Sequence, residues 1–212
     1  MSDYLEKLLS NSTSSLNVNA VYLSEELMAQ AGSLATELQE MLSIRNGFYA
    51  LEKALHVFPS HSLDDEIGLD EWNSNSLWRV EYDDSISNCL FFAEDIFGTQ
   101  FCIHNEKVNT FDPETGEFEY LADSIDGWAK AIIQDYDVLT GYSLAHEWQK
   151  NNGALPVNKR LLPKRPFVAG GEFDIGNLYL CDSVEGMKLR ASIAKQIRDL
   201  PDGAQIQLNI VD

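Results

Sequence analysis

Base, cysteine and long apolar runs are all scarce in this chain. Its 212 residues hold 15 Lys and Arg against 34 Asp and Glu, a net charge of −19. That sign argues against nucleic acid and anionic membrane surfaces as partners, because both carry the same charge. Cys89, Cys102 and Cys181 are odd in number and widely spaced, which fits reduced, buried thiols and neither a disulfide framework nor a zinc site. No run of about eighteen apolar residues exists, so no membrane span is expected. The start, MSDYLEKLLSNSTSS, lacks the apolar stretch of a signal peptide, so the chain is expected in the cytosol. Also missing are a G-x-S-x-G elbow, a P-loop and a G-x-G-x-x-G fingerprint.

The composition is 44% apolar, enough for one sizeable core with a small addition. Acid is concentrated early: residues 1–150 hold 27 Asp and Glu and 7 Lys and Arg, and residues 151–212 hold 7 and 8. The densest acidic run, 64–95, has Arg79 as its one base. Prolines and a burst of base in NNGALPVNKRLLPKRP mark a junction. The expected organisation is an N-terminal segment 1–22, a core domain 23–150 and a C-terminal extension 151–212 packed on it.

SEELMAQAGSLATELQEMLSIRNG has apolar residues at helical spacing, Ser24 as a cap and a weak point at Gly32. FYALEKALHVFP reads as a short strand or a turn of helix. LWRVEYDD, CLFFAED, TQFCIHNE and KVNTFDPETGEFEYL carry aromatic and β-branched residues between turn signals, as successive antiparallel strands do. DSIDGWAKAIIQDYDVLTGYSLAHEWQKNNG reads as two helices, with Asp123 or Ser124 as cap and Trp128 inward. The extension offers a strand at NLYLCD, a helix over VEGMKLRASIAKQIRDL, a Pro201-Asp202-Gly203 turn and a strand at QIQLNIV. The fold class is therefore α+β, an antiparallel sheet backed by helices with a strand-helix-strand extension.

Glu94 and Asp95, in LFFAEDIFGTQFCI, are the first candidates for chemistry. As neighbours in a strand they would point to opposite faces and could not jointly flank a scissile bond. Both faces of that strand are apolar, so the pair is expected to escape to a hydrated hairpin tip. There it would join a recognition surface for a basic partner, and reversing both residues to Lys would leave folding nearly intact. Asp64, Asp65, Glu66, Asp70, Glu71, Asp83, Asp84, Glu94 and Asp95 are the candidate partner-binding residues. His56 and His61 with the 64–66 acids, and His146-Glu147, lack zinc-site spacing. Gly170-Gly171 precedes Glu172 and Asp174, which would repel a phosphate. No catalytic, cofactor or metal residue is assigned.

SLATELQEMLSIRNGF, LHVFP, IGLDEWN, FFAEDIFGTQFCI and VNTFDPETGEFEYLADSIDGWAKAI follow one another over residues 31–148. This succession resembles the SUKH superfamily of immunity proteins, which also includes the fungal Knr/Smi-type cell-wall regulators. The resemblance implies an antiparallel sheet backed by helices. It also implies an immunity function: binding and neutralising a cognate polymorphic toxin, often a nuclease, delivered by a contact-dependent or type VI secretion system. The tail from about 151 extends beyond that superfamily's minimal pattern. A nuclease is basic where it holds phosphate, so an acidic inhibitor gains association rate and can cover the groove. The alternatives are a solubility role for the charge, a Knr/Smi-type regulatory scaffold with several partners, and a hydrolase. The last would need a raised carboxylate pKa and a deep pocket. A homodimer is also open.

Overall fold

The computed structural model describes residues 3–201, apart from the side chain of Ser85. It is an α+β structure built on six sequential antiparallel strands: β1 (Phe48–Ala50), β2 (Leu55–Val57), β3 (Leu90–Asp95), β4 (Gln100–His104), β5 (Lys107–Asp112) and β6 (Glu117–Ala122). The segment left open as strand or helix is thus the β1–β2 hairpin. Its turn places Leu51, Glu52 and Lys53 at φ 52°, 53° and 68°, a region that non-glycine residues rarely enter.

Three helices precede the sheet: α1 (Asp3–Ser10), α2 (Glu25–Ala31) and α3 (Ala35–Ile44). Ser24 caps α2 by accepting from the Leu27 N–H at 3.2 Å, and Gly32, at φ 55°, interrupts the helical run where its flexibility suggested. A four-residue helix, α4 (Leu69–Trp72), lies in the long excursion between β2 and β3. After β6 come α5 (Ile125–Gln134), capped by Ser124, α6 (Tyr136–Thr140) and α7 (Tyr142–Asn152). The two expected helices are three, because Gly141 at φ 67° separates α6 from α7.

LWRVEYDD is not a strand. In a strand Trp78, Val80 and Tyr82 would share one face, yet Trp78 and Tyr82 are buried while Val80 is 67% exposed. The segment forms 3-10 turns at Arg79–Glu81 and Asp84–Ile86. The buried Arg79 guanidinium holds them by donating to the carbonyls of Ile86, Ser87 and Cys89 and to Asn73 Oδ1.

The sheet is covered on both faces. Phe92 and Phe101 meet Trp128 of α5 at 5.1 and 5.8 Å, whereas Phe91 meets Trp78 at 5.1 Å and Phe111 meets Tyr82 at 5.2 Å. A bulge between Phe91 and Ala93 breaks the β3–β4 register. By inserting one residue it changes which face the rest of β3 presents, so Glu94 lies on the Phe91 side and not with Phe92.

The C-terminal part adds a two-stranded antiparallel sheet, β7 (Lys159–Pro163) with β8 (Leu178–Asp182), and α8 (Ser183–Ile197), capped by Asp182. β7 falls where sequence suggested only a junction. Val184, Met187, Ala191 and Ala194 of α8 belong to the same apolar core as the large sheet, as do Leu5, Leu8 and Leu9 of α1. Asp202 and Gly203 of the expected turn and the strand over QIQLNIV lie outside the described residues. Among the described residues, no helix is long and apolar enough to cross a membrane.

Candidate functional site

Glu94 and Asp95 are not at a hydrated tip. They end β3 and are 1% and 5% exposed. Strand register sets Tyr49 of β1 opposite His56 of β2, His56 opposite Glu94, and Glu94 opposite Gln100 of β4. Four polar residues therefore cross four strands in one transverse row. The bulge brings Glu94 into that row, and the C-terminal extension closes over it.

Glu94 Oε1 lies 2.8 Å from Arg160 Nη2 and 3.1 Å from His56 Nδ1, with Ser183 Oγ at 3.5 Å. Gln100 Nε2 lies 3.4 Å from Glu94 Oε2, while Gln100 Oε1 accepts from Trp72 Nε1 at 2.9 Å. Burial alone would raise the Glu94 pKa, but the Arg160 guanidinium, helped by His56, holds it below the usual carboxylate range. An ionised carboxylate only accepts, so His56 Nδ1 carries the proton and Nε2 is the bare lone pair. Burial first, then the charge of Arg160 despite the Glu94 hydrogen bond, drives His56 down to about 4. Tyr49 stacks on His56 at 4.4 Å and donates to Glu66 Oε2 at 3.0 Å. Among the described residues, His56 Nε2 has no hydrogen-bond partner, and it lies 3.8 Å from the same oxygen. Burial raises the Glu66 pKa, against the hydrogen bond that it accepts from Tyr49.

Asp95 ties the β3–β4 turn. Its Oδ1 accepts from the N–H groups of Phe97 and Thr99, both at 2.8 Å. Arg190 of α8 covers the turn, donating to the carbonyls of Phe97 and Gly98 at 2.6 and 3.4 Å and to Gly186 at 3.1 Å. Burial pushes Asp95 up to about 7 despite the hydrogen bonds it accepts. Lysines at 94 and 95 would therefore place two ammonium groups beside buried guanidinium groups, and the expectation that this leaves folding intact is corrected.

The other candidate residues divide by position. Asp64 and Asp65 are exposed, Asp70 pairs with His61 at 2.9 Å, and Glu71 accepts from Ser62 Oγ at 2.6 Å. Glu66 alone of this group reaches the Glu94 row, through His56 and Tyr49. Asp83 pairs with Arg198, the residue that follows α8, and Asp84 is exposed. Sequence reasoning missed Arg160, Tyr49 and Gln100. Arg160 sits in the basic burst read as a junction, and the transverse row is visible only once strands are paired.

Two clefts adjoin the Asp95 turn and not the Glu94 row. One of about 550 Å³ opens between the β3–β4 turn, the β5–β6 turn, α6 and the 167–173 segment. Among the described residues, its carboxylates are Asp95, Asp112, Glu114, Glu117 and Glu119, and its one cation is Arg190. A second cleft, of about 300 Å³, shares Phe97, Val138 and Phe173 with it and adds Asp137 and Leu144. Among the described residues, no group of three His, Cys, Asp or Glu side chains is placed to hold a metal ion.

No family model matches the chain, and no curated protein matches it. Among solved structures it is similar in fold to Atu4351 from Agrobacterium tumefaciens. The two share 11% identity at a TM-score of 0.56, over 88% of this chain and 87% of that one. That likeness defines a shared α+β architecture.

Proposed function

We propose that the protein is a cytosolic immunity protein that binds a cognate basic toxin of nuclease type and neutralises it by covering its substrate groove. The observation that carries this reading is the division of labour among the charges. The buried groups His56, Glu94 and Asp95 are engaged inside the fold, while Asp64, Asp65, Asp84, Asp112, Glu117, Glu119 and Asp137 are exposed. Such a surface raises the encounter rate with a cationic partner and repels competitors for the same groove. The resemblance to SUKH immunity proteins supplies the class of partner. Co-expression with the product of the adjacent open reading frame tests it. A stoichiometric complex that weakens with salt, with rescue of growth from the product's toxicity, is expected; neither binding nor rescue would overturn the reading.

A hydrolase is the second reading, and Asp95 is the observation that favours it, since a carboxyl raised to about 7 lines the cleft of about 550 Å³. Against it, Asp95 Oδ1 is already engaged by two backbone N–H groups. Hydrolysis of model esters or glycosides that disappears in Asp95→Asn would establish it.

A further inference from the structure

Phe173 is 64% exposed and Val138 75% exposed, yet Phe173 is held firmly. Its ring stacks on Phe167 at 3.9 Å and 9°, and lies edge-on to Phe97 at 5.6 Å. The supporting segment is fixed at several points. Val168 N donates to Glu114 Oε2 at 2.9 Å, and Asn177 Nδ2 donates to the carbonyls of Arg165 and Glu172. At Gly171 a Cβ would fall 2.0 Å from the Arg165 carbonyl oxygen. An aromatic ring kept rigid and in water is characteristic of an interface anchor.

The wall that faces this rim has the opposite character. Asp112, Glu117 and Glu119 are exposed there, and the lone cation, Arg190, is occupied by the carbonyls of Phe97, Gly98 and Gly186. A neutral occupant would dehydrate these carboxylates without pairing them. An anionic one would be repelled. A long cationic side chain can satisfy the acids with its head and lay its stem and charge on the aromatic rings. A cleft of about 550 Å³ accommodates such a side chain with adjoining backbone.

We propose that this cleft is the docking pocket for a basic segment of the protein partner. One arginine or lysine enters between the Phe97–Phe173 rim and the carboxylates of Asp112, Glu117 and Glu119. Its apolar neighbours cover Val138 and Leu144 in the adjoining cleft. The identity of the partner rests on the immunity reading; the chemistry of the occupant rests on the cleft.

The test uses the full chain, labelled with ¹⁵N, and a synthetic peptide of alternating arginine and leucine. The control is the same peptide with citrulline for arginine. The arginine peptide should shift the amide signals of Gly98, Thr99, Glu117 and Phe173, and the citrulline peptide should not. Phe173→Ser with Val138→Ser, and separately Glu117→Gln with Glu119→Gln, should each weaken binding about tenfold or more. All four positions are exposed, and circular dichroism verifies that both variants fold. Equal binding of the two peptides, shifts confined to residues 64–71, or unchanged affinity in both variants would overturn the proposal. The adjacent gene's product separates the two readings. If it binds wild type and both variants equally, the pocket falls and the immunity reading stands. If it does not bind at all while the arginine peptide occupies the cleft, the immunity reading falls and the pocket stands.

Discussion

Arg160 of β7 places Nη2 2.8 Å from Oε1 of Glu94 on β3, and each side chain is 1% exposed. The second sheet is thereby joined to the first by an ion pair shielded from water. Desolvating two charges offsets much of their attraction, so the pair is weak as a net source of stability but demanding once formed. Removing one partner leaves the other charged and buried. Glu94→Gln, which keeps an acceptor for His56, should therefore lower stability to urea by about 3–5 kcal/mol. Adding Arg160→Met to the same chain removes the stranded charge and should restore more than half of that loss. A loss below ~1 kcal/mol in the single variant, or additive losses in the double, would show that the two charges are not coupled.

The contrast between Glu94 and its neighbours shows what the sequence could convey. Strands β3 to β6, the break at Gly32 and the Ser124 cap follow from local patterns: apolar alternation, a residue free to take positive φ, a side chain able to accept from a helix N-terminus. Glu94 could not be placed this way, because its environment is non-local. The bulge at Phe91–Ala93 sets its face, and Arg160, 66 positions later in the chain, supplies its counter-charge. Arg79 misled in the same manner. Its buried guanidinium ties this segment to the carbonyls of Ile86, Ser87 and Cys89 further along the loop, a contact that the strand-like pattern of LWRVEYDD does not disclose. The cleft below Phe173 was equally hidden, since it joins two hairpin turns, α6 and the extension.

The thiols test how the extension packs. All three cysteines are free, as expected; Cys89 and Cys102 are fully buried, while Cys181 on β8 is half-buried, so the expectation of largely buried thiols is met in full by two of them. Burial pushes Cys89 up to about 12 and Cys102 well above its ordinary value, and raises Cys181 as well. The reactive species is the thiolate. At pH 8 an aromatic disulfide reagent should label one group slowly, identified as Cys181 by peptide mapping, and all three after denaturation. Rapid native labelling of Cys89 or Cys102 would contradict the packing described.

The acids at the surface should act on rate and not on folding. Asp65→Lys combined with Asp84→Lys changes two exposed positions, so stability should stay within about 0.5 kcal/mol of wild type. Under the immunity reading proposed above, association with the cognate toxin should slow by about tenfold at low salt, and the difference should close as ionic strength shortens the screening length. Stopped-flow association across a salt series provides the measurement. Parallel salt dependences for variant and wild type would remove these residues from the recognition surface.

His56 and Asp95 titrate in overlapping ranges with opposite consequences for stability. His56 falls from 6.5 to about 4, chiefly through burial, so between those values the unfolded chain binds more protons than the folded one. Its contribution is complete above 6.5 and is lost as pH falls towards 4. Asp95 rises from 3.8 to about 7, again through burial, so there the folded chain binds more protons. Its contribution is complete below 3.8 and is lost as pH rises towards 7. In wild type the two slopes oppose each other across the shared interval. Asp95→Asn keeps an acceptor for Phe97 and Thr99 but no longer titrates, so its stability relative to wild type should increase from pH 4 to 7. His56→Gln should show the reverse, losing ground to wild type from pH 4 to 6.5. Neither slope can exceed ~1.4 kcal/mol per pH unit. Urea midpoints in a pH series give both differences. Slopes of the same sign would mean that burial does not set the protonation of these two groups, and the transverse row and the turn would need a different electrostatic account.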